Sequence, residues 1–226
     1  MTSAAACANA GATVERPGGN PGVVAPVVRD LGMRQYAQVW REMQAFTASR
    51  TPHTADEIWL LQCAPVYTLG AAARPSRLPL APAIPQLKLD RGGQITYHGP
   101  GQLIAFVLLD LRRLGIAVRP LVRRMENAVI DLLAEFGIAA AGRTAMPGVY
   151  VADAKIAALG LRVKNGCCYH GLALNVDLDL APFAAIDPCG FPGLAVTRTR
   201  DLGVEAGIAE LGERLARHLT RQILAR

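Results

Sequence analysis

Between residues 36 and 46 apolar side chains recur at three- and four-residue steps. Tyr36, Val39, Trp40, Met43 and Phe46 share one face of a 3.6-residue period, which predicts an amphipathic helix whose aromatic stripe packs on a core. The pattern then changes. Residues 57–63 and 66–69 read as strands interrupted at Pro65, and residues 71–86, with four prolines, read as a surface loop. Further strands are expected at 94–97 and 103–109. Pro120 opens a second helix, at a position where its missing N–H costs nothing. Leu121, Met125, Val129, Leu132 and Phe136 form the core side of that helix, and Gly137 ends it. Short strands follow near 148–152, 155–163 and 168–176. A last helix over 205–225 runs through Ile208, Leu211, Leu215, Leu219 and Ile223. Two or three helices on a mixed or antiparallel sheet make a single α+β domain. Its ordered pattern starts near Leu31. Residues 1–27 are rich in Ala, Gly, Val and Pro without a helical period, and predict a disordered extension before a domain over 28–226. That stretch has neither a charged start with an apolar core nor more than one basic residue, so it resembles neither a secretory signal nor a mitochondrial presequence.

Composition narrows the class. A chain of 226 residues suits one self-sufficient core. Its apolar runs are short and interrupted, so no membrane span is expected. Five cysteines, with Cys167 and Cys168 adjacent, fit neither a disulfide framework nor a zinc site, which points to reduced thiols and a cytoplasmic location. The net charge of +6 comes from arginines spread along a chain poor in aromatics. Nucleic-acid binding needs basic clusters with interleaved aromatics, so a diffuse basic surface suits an acidic protein partner better.

Against that background three segments carry chemistry. Asp90-Arg-Gly-Gly-Gln-Ile-Thr-Tyr-His-Gly-Pro-Gly101 places Arg91 and His98 among glycines that let the backbone approach a ligand. An ordinary turn-rich hairpin would use the same residues. Tyr97-His98-Gly99 recurs as Tyr169-His170-Gly171, and two of the chain's four histidines in one tripeptide suggest two walls of one pocket. Cys189 stands between Pro188 and Gly190, on a turn where a thiol can meet a substrate. Cys63 and Cys168 lie in strand patterns and read as packing residues. Lys155 opens the apolar run 156–161. It is either snorkelling at a strand end or partly desolvated with a lowered pKa. Only Lys88, Lys155 and Lys164 are lysines among 24 basic residues. In a chain that otherwise uses arginine, a lysine is more often there for its ability to give up a proton.

Taken in order, these segments resemble the lipoyl(octanoyl) transferases, from Leu31 to the C-terminus. The resemblance rests on Pro65-Val-Tyr-Thr-Leu-Gly70, the 90–101 run, Pro147-Gly-Val-Tyr-Val151, Lys155-Ile-Ala-Ala-Leu-Gly160, Tyr169-His-Gly-Leu-Ala-Leu-Asn175 and Pro188-Cys-Gly190. It implies a fold like that of biotin and lipoate protein ligases. It implies Cys189 as the nucleophile that carries the acyl group, and Lys155 as the residue that lowers the thiol pKa and moves protons. Three substrate-binding segments are implied: Arg91, Gly92, Gly93, Gln94, Ile95, Thr96, Tyr97 and His98; Ala158, Leu159 and Gly160; Gly171, Leu172 and Ala173. No cofactor or metal is implied. The donor would be octanoyl-acyl carrier protein, and the acceptors lipoyl domains of 2-oxoacid dehydrogenase E2 subunits and the glycine cleavage H protein. The sequence departs from the family pattern at Asp187, where asparagine is common, and at Arg77, near a position often held by histidine.

Three other readings share parts of this pattern. An ATP-dependent lipoate or biotin ligase would not need the cysteine. A cysteine hydrolase would release free octanoate. A non-catalytic acyl-carrier-binding module would form no covalent intermediate.

Overall fold

The apolar stripe over residues 36–46 becomes helix α1 (Tyr36–Ala48), which buries Tyr36, Val39 and Met43. In this computed structural model, which describes residues 24–73, 83–187 and 193–225, α1 lies on one face of a seven-stranded sheet. The sheet is built from β1 (Val27–Arg34), β2 (Glu57–Cys63), β6 (Gln102–Asp110), β10 (Cys167–Asn175), β9 (Ala154–Lys164), β8 (Gly148–Val151) and β7 (Ala141–Gly142), in that order. β1 runs parallel to β2 and the other neighbours are antiparallel, so the sheet is mixed. A second sheet orders β4 (Gln86–Lys88), β3 (Val66–Leu69) and β5 (Ile95–His98).

Every residue of β6 and β10 is buried. Strands covered on both faces read as continuous apolar runs, and these two do. On one face, Leu103, Ala105, Leu172 and Leu174 pack against helices α3 (Val118–Ala134) and α4 (Ile208–Leu224). The short helix α2 (Leu111–Leu114) links β6 to α3, with the Asp110 carboxylate capping its first turn. On the other face, Ile104, Phe106, Tyr169 and Ala173 pack with α1 and with Val66 and Leu89 from the small-sheet region. The two layers leave a cleft between the central strands and the small sheet.

Elements outside the pattern read from the sequence include α2 and β7, which it did not predict. β1 begins at Val27, one residue inside the stretch expected to be an extension, and precedes the expected start at Leu31. The loop expected over 71–86 reaches β4, which begins at Gln86; residues 74–82 lie outside the described residues, Arg77 among them. Among the described residues, no helix is long and apolar enough to cross a membrane.

β10 tolerates no side chain at Gly171. A Cβ there would meet the Ala105 carbonyl of β6. Gly171→Ala is therefore expected to destabilise the fold by about 1–3 kcal/mol or more, read by urea denaturation. Unchanged stability would mean that β6 and β10 separate at little cost.

Candidate active site

The 90–101 run is folded as a turn that enters the cleft from the small sheet. Gly93 takes φ +87, as its glycine allows. The Gly92 amide donates to the Leu161 carbonyl of β9 at 2.9 Å, which stitches the turn to the main sheet. Across the cleft, β9 and β10 pair Ala158 with Ala173, Leu159 with Leu172 and Gly160 with Gly171. The three segments expected to bind substrate thus converge on one cleft. Arg91, Gly93, Gln94, Ile95, Thr96 and His98 line it, as do Ala158–Gly160 and Gly171–Ala173. Gly92 and Tyr97 do not. Tyr97 is buried on the far side of the small sheet, against Tyr67 and Phe183.

Both echoed histidines are in this cleft, as the repeat suggested. His98 is the centre of a buried relay. Arg91 Nη2 donates to Thr68 Oγ1 at 2.8 Å. His98 Nε2 lies 3.1 Å from the same hydroxyl, and its Nδ1 lies 2.7 Å from Gln102 Oε1. Gln102 Nε2 donates to Asn175 Oδ1 at 2.9 Å, so Oε1 is the acceptor and His98 Nδ1 carries the hydrogen. Asn175 Nδ2 then donates to the Thr197 carbonyl at 3.0 Å. Burial, with the nearby Arg91 charge, pushes the His98 pKa down to about 3, so the ring is neutral.

The relay ends beside Lys155. The Thr197 amide donates to the Lys155 carbonyl at 3.0 Å, and the Lys155 amide donates to the Ala195 carbonyl at 2.8 Å. Lys155 lies on β9, three residues before the cleft wall at Ala158. Its side chain is folded over Gly148, where a Cβ would strike Cε and Nζ and where φ is +149. Nζ donates to the Pro147 carbonyl at 3.0 Å and sits 5.4 Å from the Tyr150 ring centroid. Lys88 and Lys164 are exposed, whereas Lys155 is only 4% exposed. That contrast fits a lysine kept for its chemistry.

Cys189 lies outside the described residues. The other candidate thiols are dormant: burial pushes the Cys63 and Cys168 pKa values up to about 12, which agrees with their reading as packing residues.

The reading from sequence missed four residues of the site. Tyr36 was assigned to the α1 core face, yet it also lines the cleft. Ile104 and Phe106 were read only as strand. Asp90 belonged to the motif without a role. It accepts hydrogen bonds from Trp40 Nε1 at 3.1 Å, His170 Nε2 at 3.0 Å and the Tyr169 hydroxyl. Burial alone would raise the Asp90 pKa, but these donors outweigh it and hold the carboxyl well below the usual range. The aspartate directly before Arg91 was the available signal.

A sheet with this cleft between two layers defines the lipoate and biotin protein ligase fold. The bipartite lipoate protein ligase of Thermoplasma acidophilum superimposes with a TM-score of 0.72 at 17% identity, covering 88% of this chain and 84% of that one. The biotin protein ligase of Aquifex aeolicus, in complex with biotin and ATP, gives 0.57 at 13% identity, covering 87% and 70%. The chain belongs to the lipoyl protein ligase A/B catalytic domain family, whose family model matches residues 35–220. It is 57% identical over 203 residues to the octanoyltransferase of Nitrosospira multiformis, covering 90% of this chain and 94% of that protein. It is 61% identical over 196 residues to the octanoyltransferase of Azoarcus sp., covering 86% of each.

Proposed function

We propose that this protein is an octanoyltransferase that moves an octanoyl group from an acyl carrier protein to a lysine of a lipoyl domain, through a thioester on Cys189. The observation that carries this reading is the convergence of the three wall segments on a cleft that leads along β9 to the one buried lysine. The kinship with octanoyltransferases supports the same chemistry.

In the first step the Cys189 thiolate attacks the thioester carbonyl, and the carrier thiol leaves with a proton. In the second, the amine of the acceptor lysine attacks the enzyme thioester. The C–N bond forms, the C–S bond breaks, and the amine proton passes to Lys155 and returns to the sulfur. A free thiol has its pKa near 8.5, so a cationic neighbour raises the thiolate fraction at neutral pH. Backbone amides of the glycine turns are suited to hold the oxyanion. The walls from Ile95, Ala158, Leu159, Leu172 and Ala173 are apolar, and each buried methylene of the acyl chain contributes about 0.8 kcal/mol. The octanoyl donor, the E2 and H-protein acceptors and a cytoplasmic setting complete this reading.

The test mixes the protein with octanoyl-acyl carrier protein and a lipoyl domain in the absence of ATP. Intact-mass spectra are expected to show one octanoyl group on the protein and then on the acceptor. Transfer only when ATP and free octanoate are supplied would assign ligase activity instead. Release of free octanoate without acceptor modification would assign a hydrolase.

A further inference from the structure

His170 breaks the alternation of β10. Cys168, Leu172 and Leu174 face α3 and α4, while Tyr169 and Ala173 face the cleft side. Parity puts His170 with the first set. Its φ of +66 turns it to the second, where its ring stacks on Tyr169 at 5.1 Å. A non-glycine residue in the left-handed region inside a strand is strained, and such strain persists where the site uses it.

The ring is held in one tautomer. Nε2 lies 3.0 Å from Asp90 Oδ1. Asp90 also accepts from Trp40 and Tyr169 and is ionised, so it has no proton to give, and Nε2 carries the hydrogen. Burial lowers the His170 pKa against the pull of Asp90, which keeps the ring neutral and Nδ1 an acceptor. Nδ1 is buried and has no hydrogen-bond partner among the described residues. A buried polar atom without a partner calls for an explanation.

A second polar group stands nearby. The Tyr36 hydroxyl is neutral, its pKa raised by burial. Phe106 packs edge-on against both rings, 5.6 Å from Tyr36 and 6.1 Å from His170. Tyr36 and His170 both line the cleft. His170 pairs with Leu161, near the end of β9 opposite Lys155. This end of the cleft therefore brings a tyrosine, and a histidine with an unpartnered buried nitrogen, around one phenyl ring, where an unsubstituted alkyl tail would need neither.

We propose that this end of the cleft is a subsite for a hydroxyl on the tail of the acyl group, and that His170 is the specificity-determining residue that accepts its hydrogen bond. This rests on the reading of the cleft as an acyl site. The protein would then transfer ω-hydroxyoctanoyl groups alongside octanoyl groups. The hydroxyl donates to His170 Nδ1 and its oxygen is free to accept from Tyr36.

The test compares octanoyl- and 8-hydroxyoctanoyl-acyl carrier protein as donors, for the wild type and His170→Asn. An apolar pocket disfavours an added hydroxyl by about a hundredfold in kcat/KM. The wild type is expected to keep the two donors within about fivefold, because the hydroxyl finds a partner. Asparagine tolerates the left-handed backbone but is too short to place an acceptor beside Phe106. In His170→Asn the ratio of hydroxyoctanoyl to octanoyl transfer is expected to fall at least about tenfold. A purely structural loss lowers both rates together and leaves that ratio unchanged. The inference is overturned if the wild type disfavours the hydroxylated donor about a hundredfold, or if His170→Asn keeps the wild-type ratio. Failure of the wild type to transfer octanoate at all would overturn the acyl-site reading itself.

Discussion

Lys155→Ala is expected to slow octanoyl transfer by about a thousandfold or more, and Lys155→Arg is not expected to restore it. The expectation follows from where the side chain is held. Pro147 takes its Nζ hydrogen bond, Tyr150 presents its ring, and Gly148 leaves room for the aliphatic stem. An arginine is bulkier in that slot and keeps its proton, so it can supply charge but cannot act as a base. Loss of the cation also removes a neighbour that favours the thiolate, so the pH optimum of Lys155→Ala should move upward. Single-turnover transfer from octanoyl-acyl carrier protein, followed across pH, measures both effects. In the same assay Cys189→Ala should form no octanoyl adduct. Cys63→Ala and Cys168→Ala should still form it, because those thiols are buried and neutral. A Cys189→Ala protein that transferred octanoate at the wild-type rate would sink the covalent mechanism. A Lys155→Arg enzyme of normal rate would reduce Lys155 to a positive charge.

Much of this arrangement was legible in the chain because local signals and global packing agree. The α1 stripe, the apolar runs of β6 and β10 and the leucine period of α4 each place one face, and the layers follow. β1 was not legible for a physical reason. Six of its eight residues are exposed and none is buried, and an edge strand without a buried face has no alternation to read. The site divides along a similar line. Glycine turns, the repeated Tyr-His-Gly and the isolated lysine are local features; the glycine turn and both histidines reach the cleft, whereas Gly92 and Tyr97 do not, and Lys155 is buried on β9 three residues before the wall at Ala158. Asp90 and Tyr36 act through partners far away in sequence, so their roles emerge only when α1, the Arg91 turn and β10 come together. His170 was noticed for its repeat, but strand alternation assigns it to the wrong face. Only its backbone angle shows otherwise.

Protein stability is expected to fall by roughly 3 kcal/mol between pH 6.5 and pH 4 through His98 alone. The folded His98 resists protonation down to about pH 3, since burial and the Arg91 charge both oppose a second positive charge. In the unfolded chain a histidine takes its proton near pH 6.5. Below that value the unfolded state binds more protons than the folded one, so stability declines as pH falls, by about 1.4 kcal/mol per pH unit for one such group. The downward shift of His170 adds in the same direction. Asp90 occupies a different window. Its depressed pKa contributes stability above its unfolded value, near pH 4, and that contribution is lost only on further acidification. His98→Gln separates these terms, because glutamine can donate to Gln102 and accept from Thr68 but does not titrate. Urea unfolding at a series of pH values is expected to show a variant about 1 kcal/mol less stable at pH 7, yet with a shallower slope between pH 6.5 and 4, by one proton. A variant with the wild-type slope would mean that His98 is not the group that resists protonation. The same measurement bears on the site. A second proton on His98 would reverse its hydrogen bond with the Thr68 hydroxyl, which ties Arg91 to the relay ending at Thr197 and Lys155. The resistance of His98 to that proton therefore keeps intact the bonds that hold the cleft wall beside the strand that carries Lys155.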